Sequence, residues 1–410
     1  MNAGLGEMVD MAVIYPPGST AQPLVSQLFS SFFQGGFECS SQRLRAGRRL
    51  DVIDATAHDR FAAQDYSRLR GIGMQTARDG FRWHLIEHTP GEYDFRSILP
   101  MLRAARHAGV QIIWDLCHYG WPDFMDVFSP EFPEQFGRYA AACAEILAEE
   151  NGEDISFVCP INEISFLTWA GGDVGYLNPF AHGRGLELKM QLVRAALRAT
   201  AALRARLPTV RIVYAEPLLS SRSHPDRPHE ADAAQAEHLG QYQTLDMLSG
   251  RLFPELGGFP EALDIVGLNY YPYNQWFFHP YAHEREHLPG GHPLHRPLSE
   301  LLAEVYARYG RPLFLSETGT EGEARPDWLR SVMAEVRRAR EQGTPVEGVC
   351  LYPILNHAGW DDDRPCPNGL WDGCGPQGER HIYAPLLHEL RAQGLAGAGN
   401  QGWVGDGLMV

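Results

Sequence analysis

The chain has no surplus of basic side chains: 35 lysines and arginines face 51 aspartates and glutamates, for a formal charge of −16. That balance repels phosphate backbones and anionic lipid surfaces, so neither nucleic acid nor a membrane is expected as a partner. A long apolar run near the start is also missing. Residues 1–20 carry no basic n-region, and their best apolar stretch, 11–15, is far too short for a signal peptide or a membrane helix, which makes the cytoplasm the expected location. Cysteines are few and odd in number, at 39, 117, 143, 159, 350, 366 and 374, and most lie in apolar runs where a free thiol behaves as a small hydrophobe. Reduced thiols fit this pattern best, although Cys366 and Cys374 share a Gly/Pro-rich loop and could pair.

What the sequence does have is alternation. Eight apolar runs rich in Val, Ile, Leu and Phe (32–38, 74–83, 111–116, 156–163, 211–217, 265–271, 312–318 and 348–354) are separated by longer amphipathic stretches of helical period. Runs that are continuously apolar predict strands covered on both faces, the habit of parallel sheets, and eight such β/α units predict a (β/α)8 TIM barrel. At 410 residues the chain is long enough for that barrel as a single domain. Helical stretches repeatedly end in glycine before a strand, at Gly73, Gly109, Gly310 and Gly343, which places helix stops on the face opposite the chemistry. The expected layout is an N-terminal extension over 1–30, the barrel over 31–393 and a flexible Gly-rich tail over 394–410. Long structureless loops at 168–184 and 274–297 are expected to overhang the barrel mouth.

Two of the runs end in a glutamate: Pro160-Ile161-Asn162-Glu163 closes the fourth, and Leu313-Phe314-Leu315-Ser316-Glu317-Thr318-Gly319 closes the seventh. Side chains at the carboxyl ends of barrel strands converge on the active face. Two carboxyl groups roughly 5 to 5.5 Å apart are what a retaining glycosidase needs, one as nucleophile and one as acid/base.

These motifs resemble those of the family 1 glycoside hydrolases and their wider clan, and the resemblance spans about residues 30 to 390. It implies that Asn162-Glu163 is the acid/base pair, with Ile164 where many members have proline, and that Glu317 is the nucleophile. The strand-two segment Arg78-Asp79-Gly80-Phe81-Arg82-Trp83 fits the family pattern and implies that Arg78 sits beside Glu317, where a permanent cation keeps a carboxylate ionised. By the same resemblance, His118 in Cys117-His118-Tyr119-Gly120-Trp121-Pro122 binds a ring hydroxyl, Asn162 the 2-hydroxyl, and Tyr271 of Asn269-Tyr270-Tyr271 the nucleophile. Trp360 is the stacking platform after strand eight, where Tyr352 replaces the family's first tryptophan and Gly359 the glutamate that grips glucosyl or galactosyl hydroxyls. Strand one is altered too. Glu38 and Gln42 both stand where a sugar hydroxyl could be bound, and a buried Glu38–Arg82 pair is the alternative for Glu38.

The expected function is therefore hydrolysis of a β-glycoside by double displacement. It needs a carbohydrate or glycoside substrate, neither cofactor nor metal, and is compatible with a monomer or a homo-oligomer. A non-catalytic carbohydrate-binding barrel and a transglycosylase with the same carboxylate pair are the competing readings. A metal-dependent hydrolase would use the histidines at 279, 283, 287, 292 and 295, but no His-x-His stands at a strand end, and Asp361-Asp362-Asp363 lacks the spacing of a calcium loop.

Overall fold

The computed structural model describes residues 23–152, 154–280 and 285–396. The 11–15 stretch, His283 and residues 397–410 of the Gly-rich tail lie outside the described residues. All eight apolar runs contribute strands to one closed parallel barrel: β1 (Phe33–Gly36), β2 (Thr76–Gly80), β3 (Gln111–Asp115), β4 (Phe157–Cys159), β5 (Arg211–Pro217), β6 (Ile265–Asn269), β7 (Leu313–Thr318) and β8 (Val346–Leu351). Their order around the ring is their order in the chain, and the ring closes where Phe33 pairs with Val349 and Gly35 with Leu351.

Helices form the outer layer, among them α1 (His58–Ile72), α2 (Leu99–Ala108), α3 (Phe132–Asn151), α4 (Gly185–Arg206), α5 (Leu298–Tyr309), α6 (Arg325–Glu341) and α7 (Ala384–Ala392). Proline stands in the first turn of α2, α3, α6 and α7, where its missing N–H costs no helical bond. All four expected stop glycines have positive φ, and Gly73 has a second constraint: a Cβ there would lie 2.0 Å from the Ala396 carbonyl oxygen. No helix among the described residues is long and apolar enough to cross a membrane.

The barrel interior is graded from apolar to polar. Its floor is filled by Ile113, Phe157, Val213, Ile265 and Phe314, and Phe29 plugs it from the segment preceding β1, with ring centroids 5.3 Å from Phe157 and 4.9 Å from Phe314. Each such side chain contributes on the order of 1.5–3 kcal/mol by leaving water. One layer higher the interior holds Arg78, Asp115, Asn162, Asn269 and Ser316, all buried, and the polar site is built on that layer.

The two mouth segments are structured, unlike the loops expected from sequence. After Glu163 the chain forms a short helix, Ile164–Leu167, and a turn of wide helix, Thr168–Asp173, closed by a bridge between Val174 and His182. The second segment supplies two strands, Gln275–Phe277 and Glu286–His287, which join Ser220–Arg222 in a three-stranded sheet over the barrel mouth. The sequence reading missed this because the pairing partner is a three-residue strand beyond β5, too short to show a period. All seven cysteines are free thiols; Cys366 and Cys374 make their contacts with the Arg364 and Gly375 carbonyls instead of with each other.

Candidate active site

A cavity of about 400 Å³ opens at the carboxyl ends of the barrel strands, and Glu38, His118, Glu163, Tyr271, Glu317 and Trp360 all line it. Glu163 follows β4 in the left-handed region, at φ 44° and ψ 60°, a conformation costly for a residue with a Cβ. Its neighbour across the site, Tyr119, is left-handed as well, at φ 63°. The hydroxyl of Tyr119 donates to Glu163 Oε2, and Asn269 Nδ2 donates to Oε1 at 2.9 Å. Strain at both ends of one hydrogen bond marks a geometry held by its surroundings.

Glu317 has different partners. Arg78 Nη1 donates to its Oε1 at 2.9 Å and Tyr271 donates its hydroxyl to Oε2 at 2.8 Å. Arg78 is completely buried and fixed at four further points: Nη1 to the Ser316 carbonyl at 3.0 Å, Nη2 to Asp115 Oδ2 at 2.6 Å and to Asn162 Oδ1 at 3.0 Å, and its guanidinium 5.4 Å from the Tyr352 ring centroid.

These partner sets separate the two carboxyls. Burial, reinforced by the charge of Glu317, pushes the Glu163 pKa up to about 8, against the hydrogen bonds from Tyr119 and Asn269. Glu317 is raised as well, by burial and the Glu38 charge, with Arg78, His118 and Tyr271 offsetting part of that; only Glu317 of the two touches a permanent cation. Of the two, Glu163, bonded only to neutral donors, is the better placed to hold a proton, and Glu317, bonded to Arg78, the better placed to carry a charge.

The remaining expected residues fall in two groups. His118 is flanked by Asp115 Oδ2 at 3.1 Å from Nδ1 and Glu38 Oε1 at 3.6 Å from Nε2; burial opposes its charge, while the two carboxylates raise its pKa. Asn162 lies behind the cavity wall, its Nδ2 turned to His118 Nε2 at 3.1 Å and to the Tyr119 hydroxyl at 3.2 Å. Glu38 lines the cavity and accepts from the Ser40 amide at 2.9 Å. It does not pair with Arg82, which instead meets Asp59 at 2.9 Å and Asp51 at 3.4 Å. Gln42 is fully buried outside the cavity lining, with neither amide atom hydrogen-bonded.

Trp360 stands on the cavity wall, its ring centroid 5.8 Å from that of Tyr119. Next to it, a Cβ at Gly359 would lie 2.2 Å from Asp362 Oδ1, the tip of an exposed side chain that would have to swing aside for any larger residue there.

One cluster has the makings of a metal centre: Cys39 Sγ, Asp115 Oδ2 and His118 Nδ1 all lie within 4.8 Å of one another and are buried. The same Asp115 oxygen already takes the Arg78 guanidinium at 2.6 Å, and a second cation beside it would be repelled, so the donor set fits a charge-relaying network better than an ion. The loop histidines form no group of three potential ligands among the described residues. His287 instead bonds the Tyr273 carbonyl at 3.0 Å, and His292 packs its ring against Phe277.

No protein-family model matches the sequence, and no curated protein matches it either. Solved structures do. A family 1 β-glucosidase from Thermotoga maritima superposes with a TM-score of 0.71 at 16% identity, over 89% of this chain and 98% of that one. The β-glucosidase of the same organism in complex with glucoimidazole gives 0.73 at 15% identity, over 90% and 99%. A hyperthermophilic β-glucosidase mutant that forms a dodecamer in the crystal gives 0.70 at 16% identity, over 88% and 98%. The fold is that of the family 1 β-glucosidases. At this identity the likeness shows the fold alone.

Within the family 1 β-glucosidase fold, four residues of this site went unselected in the sequence. Asp115 ends β3 as Glu163 follows β4, and that strand-end position was the available signal. Tyr119 lies next to His118, and Asn269 two residues before Tyr271, but nothing local says that either reaches Glu163. Glu216, near the end of β5, accepts from the Ser165 amide at 3.1 Å, and burial lifts its pKa to about 7.

Proposed function

We propose that the protein is a divergent member of the family 1-like glycosidases and hydrolyses a β-glycoside with retention of configuration. The observation that carries this reading is the unequal surroundings of two carboxyls on one cavity: Glu317 bonded to Arg78 and Tyr271, and Glu163 bonded only to neutral donors, with its pKa raised to about 8. In the first step Glu317 attacks the anomeric carbon while the bond to the leaving oxygen breaks, and the proton of Glu163 moves to that oxygen. In the second, Glu163 takes a proton from water, the water oxygen attacks the same carbon, and the ester to Glu317 breaks, which restores both groups. Arg78 keeps Glu317 anionic between turnovers. His118, Glu38 and Trp360 contact the sugar, and Asn162 orients His118 and Tyr119 from behind.

The test is a panel of aryl β-glycosides that differ only in the sugar, offered to the parent and to Glu317→Gln. Release of aryl alcohol by the parent alone, with the β-anomer appearing first by proton NMR, is the expected result. Undiminished hydrolysis by Glu317→Gln would remove the nucleophile assignment.

A further inference from the structure

Beyond the carboxyl pair, the cavity wall carries one arginine whose donors are unspent. Arg285 immediately precedes the strand Glu286–His287 of the mouth sheet, and its guanidinium carbon lies 4.1 Å from the Trp276 ring centroid and 5.1 Å from that of Trp169. Two indoles thus hold the planar cation. Its nearest carboxylate oxygen, Glu237 Oε1, is 4.0 Å away, beyond hydrogen-bond reach, while the other oxygen, Oε2, takes the Ser221 hydroxyl and Trp276 Nε1, the latter at 3.0 Å. Arg285 makes no hydrogen bond to a described residue, and its buried Nε is without a partner. A guanidinium that is 26% exposed, with unused donors facing a cavity, is poised for an anion, and its fork matches a carboxylate.

Its position says which end of the substrate it meets. Trp169 lies one helical segment beyond Glu163, on the chain that leaves the proton donor, and the departing group must lie on the proton donor's side. Trp169, Trp276 and Arg285 therefore form the leaving-group wall, where aromatic faces suit a flat group. We propose that Arg285 recognises the leaving group, and that the substrates are β-glycosides of a planar aglycone bearing a carboxylate. The inference deepens the glycosidase reading and rests on it.

Two measurements test it. In the first, calorimetry compares binding of 4-hydroxybenzoate and of its neutral counterpart 4-hydroxybenzamide to the full chain; at least ten-fold tighter binding of the carboxylate is expected, with that preference abolished in Arg285→Leu and partly kept in Arg285→Lys. In the second, kcat/KM is compared for the 4-carboxyphenyl and 4-carbamoylphenyl β-glycosides of one sugar, and the ratio should favour the carboxylate in the parent and collapse in Arg285→Leu. Hydrolysis of both glycosides without preference, or equal binding of the two phenols, overturns the role of Arg285 and leaves the glycosidase reading intact. Selective binding of 4-hydroxybenzoate without hydrolysis of any aryl glycoside supports the anion site and overturns the glycosidase reading instead.

Discussion

Asn269 Nδ2 lies 2.9 Å from Glu163 Oε1, while its Oδ1 takes the Ser316 hydroxyl at 2.5 Å, so one amide at the end of β6 links Glu163 beyond β4 to the residue before Glu317 on β7. Replacing it with leucine removes the donor to Glu163 and leaves the buried Ser316 hydroxyl unpaired. A fall in kcat on the order of ten- to hundred-fold and a stability loss of about 1–3 kcal/mol are expected, read from steady-state kinetics and urea denaturation.

Tyr119→Phe shifts the pH profile in a defined direction. The Tyr119 hydrogen bond lowers the Glu163 pKa, which stands at about 8 with it in place. The alkaline limb of kcat/KM should lie near pH 8 in the parent and move upward in the variant, and an unmoved or lowered limb would dissociate that limb from Glu163.

Stability should depend on pH through a buried histidine held between two aspartates outside the cavity lining. His58 bridges Asp65 Oδ2 at 2.9 Å and Asp79 Oδ2 at 2.8 Å, and Arg380 braces Asp65 at 2.7 Å. Burial disfavours the imidazolium, but the aspartates override it and lift the pKa to about 9. Because that is above the unfolded value of about 6.5, the folded state holds the extra proton, and the stabilisation is fully present below about pH 6.5 and is lost as pH rises through 9. The contribution is on the order of 3 kcal/mol. Denaturation midpoints measured from pH 6 to 9.5 should fall in the parent and much less in His58→Gln.

Gly359→Glu alone should not confer affinity for glucosides. The Asp362 carboxylate occupies the space a side chain would need, so the single change makes that exposed side chain swing aside and leaves two carboxylates facing each other, which lowers the melting temperature slightly. Gly359→Glu combined with Asp362→Gly should recover stability, and comparison of KM for an aryl β-glucoside among the parent, single and double variants checks this.

The barrel was legible because a strand covered on both faces must be apolar at every position, and eight such runs at regular intervals leave few other folds. Glu163 and Glu317 were legible because strand ends face the mouth, and Arg78 through its spacing to Trp83. Tyr119 and Asn269 were not, since a hydrogen bond between elements well separated along the chain leaves no periodic trace. The mouth sheet was hidden for a related reason: its strands are short and its partner comes from another β/α unit. Gln42 was placed by a count carried past the end of a strand, beyond which direction is no longer set by alternation, and its side chain is buried outside the cavity lining.

The mouth sheet unites two stretches of chain, one after β5 and one after β6, through a parallel ladder from Gln275 to Ser220 and Phe277 to Arg222. Neither stretch can drift independently without breaking that ladder. An insertion or deletion in one stretch would therefore have to be accommodated by the other, so the length of this part of the rim is set jointly by two distant parts of the gene, whereas single side chains carried on it, Arg285 among them, stay free to change one at a time.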